Sequence, residues 1–269
     1  MQRINQLLQI TNMKPKVIVI SGYGINGEQE MRQGFLLAGA KQVDEVHVND
    51  LIDGRVKLDE YDILALPGGF SYGDHTGAGK GMANRILNNL GDELIKFVKR
   101  NTLTFGICNG FQILVQLGLL PAVGEAYGTR QAALIHNDSQ RYQCEWIKVK
   151  TENSPCVFTK GVETLDLPIG HGEGHFYMSD EKLDELEENN LVALRYSGRN
   201  PNGSSRDIAG VCDPSGRVFG LMPHPDRSLF FTNLPDWTRR KAELLAQERE
   251  VPEFGPGLVI YQNAVNYFS

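Results

Sequence analysis

Cys108 stands in a sequence context that is typical of a nucleophilic thiol. It follows the apolar segment 102–107 and precedes a helical pattern, with Gly106 and Gly110 two positions away on either side. This strand–turn–helix pattern is the cysteine counterpart of the G-x-S-x-G elbow, which exposes a nucleophile on a sharp turn. The N-terminus of a helix favours a thiolate, and the unpaired N–H of Asn109 can stabilise an oxyanion. Neither glycine has an evident packing purpose, so the pattern favours a nucleophile over a buried structural cysteine.

His224 is the best candidate for the base that activates this thiol. It comes soon after the apolar segment 218–221, and Pro223 and Pro225 restrict the backbone on both sides of it. The carboxyl end of a strand is where active sites of α/β proteins form. Asp226 can accept a hydrogen bond from the second ring nitrogen and orient the imidazole, which completes a nucleophile, base and orienting acid.

The remaining histidines and cysteines indicate no metal centre. Three histidines lack a comparable frame: His47, His75 and His136. His171 and His175 lie in a glycine-rich segment that favours close approach of the backbone to a ligand, but a third metal ligand is not evident. The cysteines are widely spaced and form no C-x-x-C pair: Cys108, Cys144, Cys156 and Cys212. We predict no metal site, and buried structural roles for most of the cysteines other than Cys108.

Short apolar segments alternate with helical patterns in the first half of the chain, which favours a parallel, doubly wound sheet. The predicted strands of this half are 16–21, 43–48, 61–66 and 102–107, and the predicted helices are 28–37, 92–99 and 111–117. Strand-like segments follow Pro121, at 143–149, 164–169, 191–196, 208–212 and 218–221. They predict an antiparallel portion of the same domain. Two further helices are predicted at 238–250 and 258–268.

Composition and charge argue against several classes of function. The chain has 269 residues and a formal net charge of −6, with no run of like charge, so nothing favours nucleic-acid binding. No apolar stretch approaches the roughly 18 residues of a membrane span, and the N-terminus lacks a signal-peptide pattern. We predict a cytoplasmic protein with an N-terminal extension (1–14), a main domain (15–237) and a C-terminal helical extension (238–269) packed on that domain.

Gly22, Gly24 and Gly27 match the G-x-G-x-x-G fingerprint of a dinucleotide-binding turn, after a strand and before a helix. Asp50 even lies near the end of the second predicted strand, where a ribose-binding acid is expected. The pattern is short and common, however, and any first strand–turn–helix unit favours glycine. We therefore prefer a tight turn and expect no cofactor in this chain.

Five motifs resemble those of the class I (triad) glutamine amidotransferases. They occur in the family's order within residues 15–237: PGGFSYGD at 67–74, GICNGFQ at 106–112, PIGHGEG at 168–174, NPNGS at 200–204 and MPHPDR at 222–227. The first and fourth are similar to the branch that serves phosphoribosylformylglycinamidine synthase. The resemblance implies a flavodoxin-like, doubly wound, mostly parallel sheet with an added antiparallel portion.

The resemblance also implies three sets of site residues. The catalytic set is Cys108 as nucleophile, His224 as base and Asp226 as third triad member. The oxyanion hole is formed by backbone amides of Gly69, Phe70 and Asn109. The glutamine pocket involves Gln112, Asn137, Ser139, His171, Gly172 and Glu173.

Two positions depart from the family's pattern. The family usually has Glu two residues after the histidine, where this chain has the shorter Asp226. The backbone must then move slightly, or the hydrogen bond to the imidazole must lengthen. The family's first turn often carries a cysteine where this chain has Gly27.

The function implied by the resemblance is that of a glutaminase subunit. It hydrolyses glutamine to glutamate and ammonia, and a partner synthetase uses the ammonia to convert formylglycinamide ribonucleotide to formylglycinamidine ribonucleotide in purine biosynthesis. No phosphate loop is evident in this chain, so ATP and Mg²⁺ are expected on the partner. A small third subunit is left open. The alternatives are a glutaminase for another amidotransferase, a cysteine peptidase or chaperone-like relative, and a catalytically silent assembly subunit.

Overall fold

The central strands form where runs of β-branched and apolar residues are covered on both faces. In the computed structural model, which describes residues 14–269, the four inner residues of the first strand are all buried. Of the predicted N-terminal extension, residues 1–13 lie outside the described part of the chain. The strands are β1 (Lys16–Ser21), β2 (Gln42–His47), β3 (Ile63–Leu66), β4 (Leu103–Ile107), β5 (Ala133–Ile135), β6 (Gln143–Thr151), β7 (Thr164–His171), β8 (His175–Tyr177), β9 (Val192–Tyr196), β10 (Ile208–Cys212) and β11 (Val218–Leu221).

The helices cover the sheet and carry the chain between its strands. They are α1 (Glu28–Leu37), α2 (Val48–Ile52), α3 (Lys80–Lys99), α4 (Asn109–Gln116), α5 (Asp180–Glu188), α6 (Trp237–Ala246) and α7 (Leu258–Asn266). The predicted start of α3 at residue 92 is wrong, because the helix begins at Lys80. Met82, Ile86 and Leu90 fall on one buried face at helical spacing, while glycines and polar residues between them conceal the pattern.

The main sheet has nine strands in the order β2-β1-β3-β4-β11-β10-β9-β6-β7. The first five are parallel to their neighbours and follow the flavodoxin-like order. From β11 onward every pair of neighbours is antiparallel. The predicted fold class is therefore confirmed, including the antiparallel portion in the second half of the chain.

Helix α2 was not predicted, and it begins at Val48, the last residue of the predicted strand 43–48. Two small features later in the chain were not predicted either. Strands β5 and β8 form a separate two-stranded sheet, and each strand has only three residues, too few for a visible alternation. Helix α5 is highly charged and buries only Leu183 and Leu186, so its apolar face is narrow. Both features lie between residues 122 and 237, where we predicted strands alone.

The C-terminal helix α7 packs against the face of the sheet that α1 also covers. Tyr261 is fully buried, and its ring meets Phe35 of α1 edge-on at 4.9 Å between centroids and Phe105 of β4 at 5.7 Å. Helix α6, in contrast, buries none of its side chains. The end of the chain is therefore anchored through α7.

The register of β4 and β11 determines where the functional residues meet. Gly106 pairs with Gly220 and Ile107 with Leu221 in this parallel pair. The chain segments that follow the two strands therefore leave the same edge of the sheet, which is where ligands bind in open α/β sheets. None of the helices described between residues 14 and 269 has the length and apolar composition needed to cross a membrane.

Candidate active site

Cys108 occupies a strained turn between β4 and α4. Its backbone has a φ of 51° and a ψ of −105°, outside the conformations that residues with a side chain favour. The Cys108 N–H donates to the carbonyl oxygen of Leu221 at 2.8 Å, which fixes the turn to β11. The thiol is buried, and Sγ lies 3.6 Å from the carbonyl oxygen of Gly170.

The glycines beside Cys108 are required by close packing. A Cβ added at Gly110 would lie 1.9 Å from the carbonyl oxygen of Leu66, and one at Gly106 would lie 2.6 Å from Leu114 Cδ1. Helix α4 therefore approaches β3 and β4 more closely than any side chain allows. The expectation that these glycines have no packing purpose is wrong. They allow both the close approach and the turn.

His224 lies beside Cys108 and is held from two sides. Its N–H donates to the carbonyl oxygen of Pro168 at 2.8 Å, and its side chain is 1% exposed. A Cβ added at Gly68 would lie 2.8 Å from His224 Cε1 and 3.7 Å from Cys108 Cβ. The imidazole and the thiol thus border the same small space. His224 Nε2 is buried and has no hydrogen-bond partner among residues 14–269, which leaves it available for proton transfer.

Asp226 reaches the imidazole despite its short side chain. Its Oδ1 lies 3.1 Å from His224 Nδ1, within hydrogen-bond distance, and its Oδ2 lies at 3.5 Å. The carboxylate is buried next to Gly27, where an added Cβ would lie 3.5 Å from Oδ2. The expected lengthening of this bond is therefore small.

The pKa values of the two buried histidines, His224 and His171, are shifted in opposite directions. Burial lowers the pKa of His224, but the Asp226 carboxylate and the Cys108 sulfur outweigh it and raise that pKa to about 9. Burial, reinforced by the charge of His224, lowers the pKa of His171 to about 4. Near neutral pH His224 is therefore protonated and suited to donate a proton, while His171 is neutral.

The predicted oxyanion hole is only partly available in this conformation. The N–H of Phe70 donates to the carbonyl oxygen of Gly24 at 2.7 Å, so it is not free to bind an oxyanion. Asn109 is the first residue of α4, where the backbone N–H has no partner within the helix. Its buried side chain accepts a hydrogen bond from the Ser71 N–H at 3.1 Å and so holds the segment that follows Gly69 and Phe70.

A cavity of about 220 Å³ opens beside Cys108 and contains several of the predicted substrate residues. Gln112 Nε2 donates to the carbonyl oxygen of Glu173 at 2.6 Å. The Ala78 N–H donates to the Glu173 carboxylate at 3.0 Å, which connects the loop before α3 to the loop after β7. The cavity is lined by Gly69, Phe70, Asp74, Cys108, Gln112, His136, Tyr142, Gly170, His171, Gly172 and Glu173.

Asn137 and Ser139, also predicted to contact substrate, are not among the residues that line this cavity. The Asn137 amide is fully buried: it donates to the carbonyl oxygens of Arg141 and His171 and accepts from the Gly174 N–H at 2.9 Å. Ser139 is exposed and accepts a hydrogen bond from Gln143 at 2.7 Å. The structure gives Asn137 the role of holding the loop after β7, since its hydrogen-bonding capacity is already used.

Asp74 was not predicted as a site residue, although it ends the PGGFSYGD motif. Tyr72, Gly73 and Asp74 have φ values of 54°, 67° and 54°, a left-handed stretch that is costly for the two residues with side chains. Burial, followed by the neighbouring Glu173 carboxylate, raises the pKa of Asp74 to about 6. Asn109 Nδ2 donates to Asp74 Oδ1 at 3.3 Å. Strain of this kind is typical of functional segments.

His136 and Tyr142 line the cavity without any sequence signal that marked them. His136 Nδ1 lies 4.0 Å from the Glu173 carboxylate. The ring of Tyr142 lies 6.2 Å from that of Phe70, and both residues are exposed. Burial, with the nearby Cys108, raises the pKa of Tyr142.

The glycine-rich turn at 22–27 packs against the segment that carries Gly69 and Phe70. A Cβ added at Gly24, whose φ is 84°, would lie 2.1 Å from the Phe70 carbonyl oxygen. The N–H groups of Asn26 and Gly27 both donate to the Gly68 carbonyl oxygen, at 3.3 and 3.1 Å. These contacts account for Gly24 and Gly27 as backbone packing. Within 14–269, no group of three or more His, Cys, Asp or Glu side chains is arranged to hold a metal ion.

Known proteins resemble this chain over nearly its whole length. Residues 14–268 match the family described as CobB/CobQ-like glutamine amidotransferase domain. Two relatives are named phosphoribosylformylglycinamidine synthase subunit PurQ. The one from Methanococcus maripaludis is 46% identical over 95% of this chain and 98% of its own length. The one from Dehalococcoides mccartyi is 38% identical over 94% of this chain and 98% of its own length. In the structure of PurLQS from Thermotoga maritima, a chain that is 31% identical superposes with a TM-score of 0.72, covering 96% of this chain and 100% of that chain.

Proposed function

This chain belongs to the glutamine amidotransferase family, and from that premise we propose that it is the glutaminase subunit of a phosphoribosylformylglycinamidine synthase. The observation that carries the proposal is the position of Cys108 on its strained turn, with the His224–Asp226 pair bordering the same space at Gly68. The names of the relatives supply the identity of the synthase.

The first half of the proposed reaction forms a thioester. The Cys108 thiolate attacks the side-chain amide carbon of glutamine, and the negative charge moves to the amide oxygen. The N–H of Asn109, at the start of α4, can stabilise that oxygen. The His224 imidazolium donates its Nε2 proton to the departing nitrogen, and the C–N bond breaks to release ammonia.

The second half hydrolyses the thioester. His224, now neutral, accepts a proton from a water molecule that attacks the thioester carbon. The C–S bond breaks, glutamate leaves and the imidazolium–thiolate pair is restored. Asp226 stabilises the imidazolium in both halves through its contact with Nδ1.

Recognition of the glutamine backbone is proposed to depend on the two carboxylates at the cavity. Asp74 and Glu173 both line it, and the charge of Glu173 contributes to the raised pKa of Asp74. A cationic α-ammonium group placed between them would relieve this repulsion. Gln112 supports the arrangement by fixing the backbone at Glu173.

The ammonia is proposed to pass to a partner synthetase that converts formylglycinamide ribonucleotide to formylglycinamidine ribonucleotide, with ATP and Mg²⁺ bound by the partner. A small third subunit is compatible with this assembly, as the name PurLQS of the related structure suggests for that complex. A cytoplasmic location belongs to the same proposal, because a reducing compartment keeps a nucleophilic thiol free.

One assay separates this proposal from its alternatives. Glutamate release from glutamine is measured for the chain alone and with its synthetase, for the wild type and for Cys108→Ala. We expect glutamate release to depend on Cys108. With the synthetase present, we expect formylglycinamidine ribonucleotide as the product. Release that survives the substitution would refute the nucleophile, and absence of release in every mixture would favour a silent assembly subunit.

A further inference from the structure

The loop that carries His224 and Asp226 is covered by a segment near the end of the chain. We name residues 253–257 the strap. Three backbone hydrogen bonds join it to residues 228–231: Phe231 N–H to Glu253 O at 3.0 Å, Gly255 N–H to Leu229 O at 2.8 Å, and Gly257 N–H to Ser228 O at 3.0 Å. An isolated bridge between Phe230 and Phe254 adds to them. The strap is therefore paired with the backbone that directly follows Asp226.

The two glycines of the strap allow a contact that no side chain permits. A Cβ added at Gly257 would lie 2.1 Å from the carbonyl oxygen of Pro225 and 2.4 Å from Ser228 Oγ. One at Gly255 would lie 2.4 Å from the carbonyl oxygen of Ser228. Pro225 joins His224 to Asp226 in the sequence. Gly257 therefore contacts the backbone that connects the proposed base to its acid.

Helix α7 begins directly after the strap and anchors it to the core. Tyr261, one turn into the helix, is fully buried against Phe35, and a Cβ at Gly34 would lie 2.7 Å from its ring. Its hydroxyl has no hydrogen-bond partner within residues 14–269. Burial and the charge of Asp226 raise the pKa of Tyr261, which places Asp226 within electrostatic reach of α7.

We infer that the strap is a positioning element for the glutaminase reaction, with Gly257 as the residue that fixes the backbone between His224 and Asp226. The inference rests on the proposed function for the roles of those two side chains. Asp226 has a short side chain, so any movement of its backbone is passed almost directly to its contact with His224 Nδ1. A loop held on both sides keeps that contact at hydrogen-bond distance.

Three ionisable groups face this pair, and a fourth group faces one of those three. The three are Cys108 in the turn before α4, His171 at the end of β7 and Tyr261 of α7. Glu30 of α1 faces Tyr261. Loosening the strap leaves Cys108 and His171 attached to the sheet, so the group whose distance to His224 changes is Asp226.

The test compares Gly257→Ala with Gly216→Ala in the full chain. The control adds a similar clash far from the site, because a Cβ at Gly216 would lie 2.0 Å from the carbonyl oxygen of Pro155, at the opposite end of β11. The φ of 70° at Gly216 strains the backbone as well, so the control disturbs the fold at least as much as Gly257→Ala does. The readouts are kcat for glutamate release with the synthetase present and the NMR titration of the His224 ring, assigned with His224→Asn. We expect Gly257→Ala to lower kcat on the order of 10²-fold, as a misplacement near 1 Å does, and to lower the His224 midpoint by about 0.5 pH units or more. Gly216→Ala should change neither.

An unchanged His224 midpoint and a kcat within about twofold of the wild type in Gly257→Ala would overturn the inference, as would equal effects of both substitutions. If Gly257→Ala does not fold, Gly255→Ala is measured in its place against the same control, with the same two outcomes. The NMR titration needs no turnover, so it decides this inference even if Cys108→Ala shows that the proposed nucleophile is wrong.

Discussion

The backbone N–H of Phe70 donates a hydrogen bond of 2.7 Å to the carbonyl oxygen of Gly24. This contact joins the segment after β3 to the glycine-rich turn after β1. It also removes one of the donors that the chain was predicted to direct at the oxyanion of a reaction intermediate. The segment must shift before Phe70 can contribute.

We therefore predict that the chain alone is a slow glutaminase and that the proposed partner synthetase accelerates it. One oxyanion donor is worth on the order of 10²–10³ in kcat, so a rise of that size is expected when the partner is added. Steady-state glutamate release with and without a saturating amount of the synthetase measures it. Cys108→Ala with the synthetase is the control, and equal turnover in the two mixtures would contradict the prediction.

Cys108→Ala should abolish glutamate release without unfolding the chain. The substitution removes one buried sulfur whose contact in the structure is a weak one, with Gly170 at 3.6 Å. We expect a loss of at least about 10³-fold in kcat, as for removal of a triad member. Circular dichroism and a thermal melt check that the fold is kept. Substantial activity in a folded variant would exclude Cys108 as the nucleophile.

Asp226→Asn should both slow the reaction and change its pH dependence. The pKa of His224 is raised to about 9, so the imidazolium proposed to protonate the departing nitrogen is lost, and the rate falls, as pH rises through that value. Without the carboxylate that pKa falls, and the basic limb of kcat moves to lower pH, with a loss on the order of 10²–10⁴-fold.

Asp226→Glu is the matched control for that change. It keeps the charge beside His224, so its basic limb should stay close to that of the wild type and its loss of kcat should be smaller. The two pH–rate profiles, measured with the synthetase present, provide the comparison. A basic limb in Asp226→Asn that coincides with the wild-type limb would show that the carboxylate does not set the pKa of His224.

Asp74→Asn should weaken the recognition of the α-ammonium group of glutamine. The pKa of Asp74 is raised to about 6, so kcat/KM should fall as pH drops through that value and the carboxylate loses its charge. Loss of one charged hydrogen bond, worth about 1.5–3 kcal/mol, predicts a rise in KM of about 10–10²-fold and removal of that acid limb.

Glutaramate, which lacks the α-amino group, is the control substrate for this prediction. Its kcat/KM should be low in both proteins and should not respond to Asp74→Asn. A substitution that weakens the two substrates equally would mean that Asp74 supports the loop alone and does not contact the substrate.

Gly110→Ala should destabilise the fold where α4 meets β3. The added Cβ would lie 1.9 Å from the Leu66 carbonyl oxygen, so the helix must move outward, at a cost of about 1–3 kcal/mol in the free energy of unfolding. Gly91→Ala in α3 is the control, because its Cβ meets Leu87 at an ordinary 3.5 Å and the substitution should stabilise by about 0.5–1 kcal/mol. Urea unfolding of both variants measures the difference, and equal stability of Gly110→Ala and the wild type would contradict the packing argument.

The sequence alone determined most of the strands, helices and turns, because these depend on residues that are close together in the chain. Runs of apolar residues between helical patterns were sufficient to predict the parallel sheet, and the short motifs around Cys108 and His224 marked the proposed nucleophile and base. Strand alternation, helical periodicity and turn chemistry act over a few residues, so they can be recognised in the sequence alone.

Only the tertiary structure decided which groups meet and which are already occupied. Cys108 and His224 are 116 positions apart (224 − 108), and they adjoin because β4 pairs with β11. Asn137 was predicted to contact glutamine, yet its amide holds the loop after β7. Asp74 was not predicted, yet it lines the cavity at the end of a left-handed turn. The contact between the strap and the His224 loop could not be predicted for the same reason. A contact between segments that are distant in the sequence depends on how whole elements pack, and the residues of one segment do not indicate which other segment they will meet.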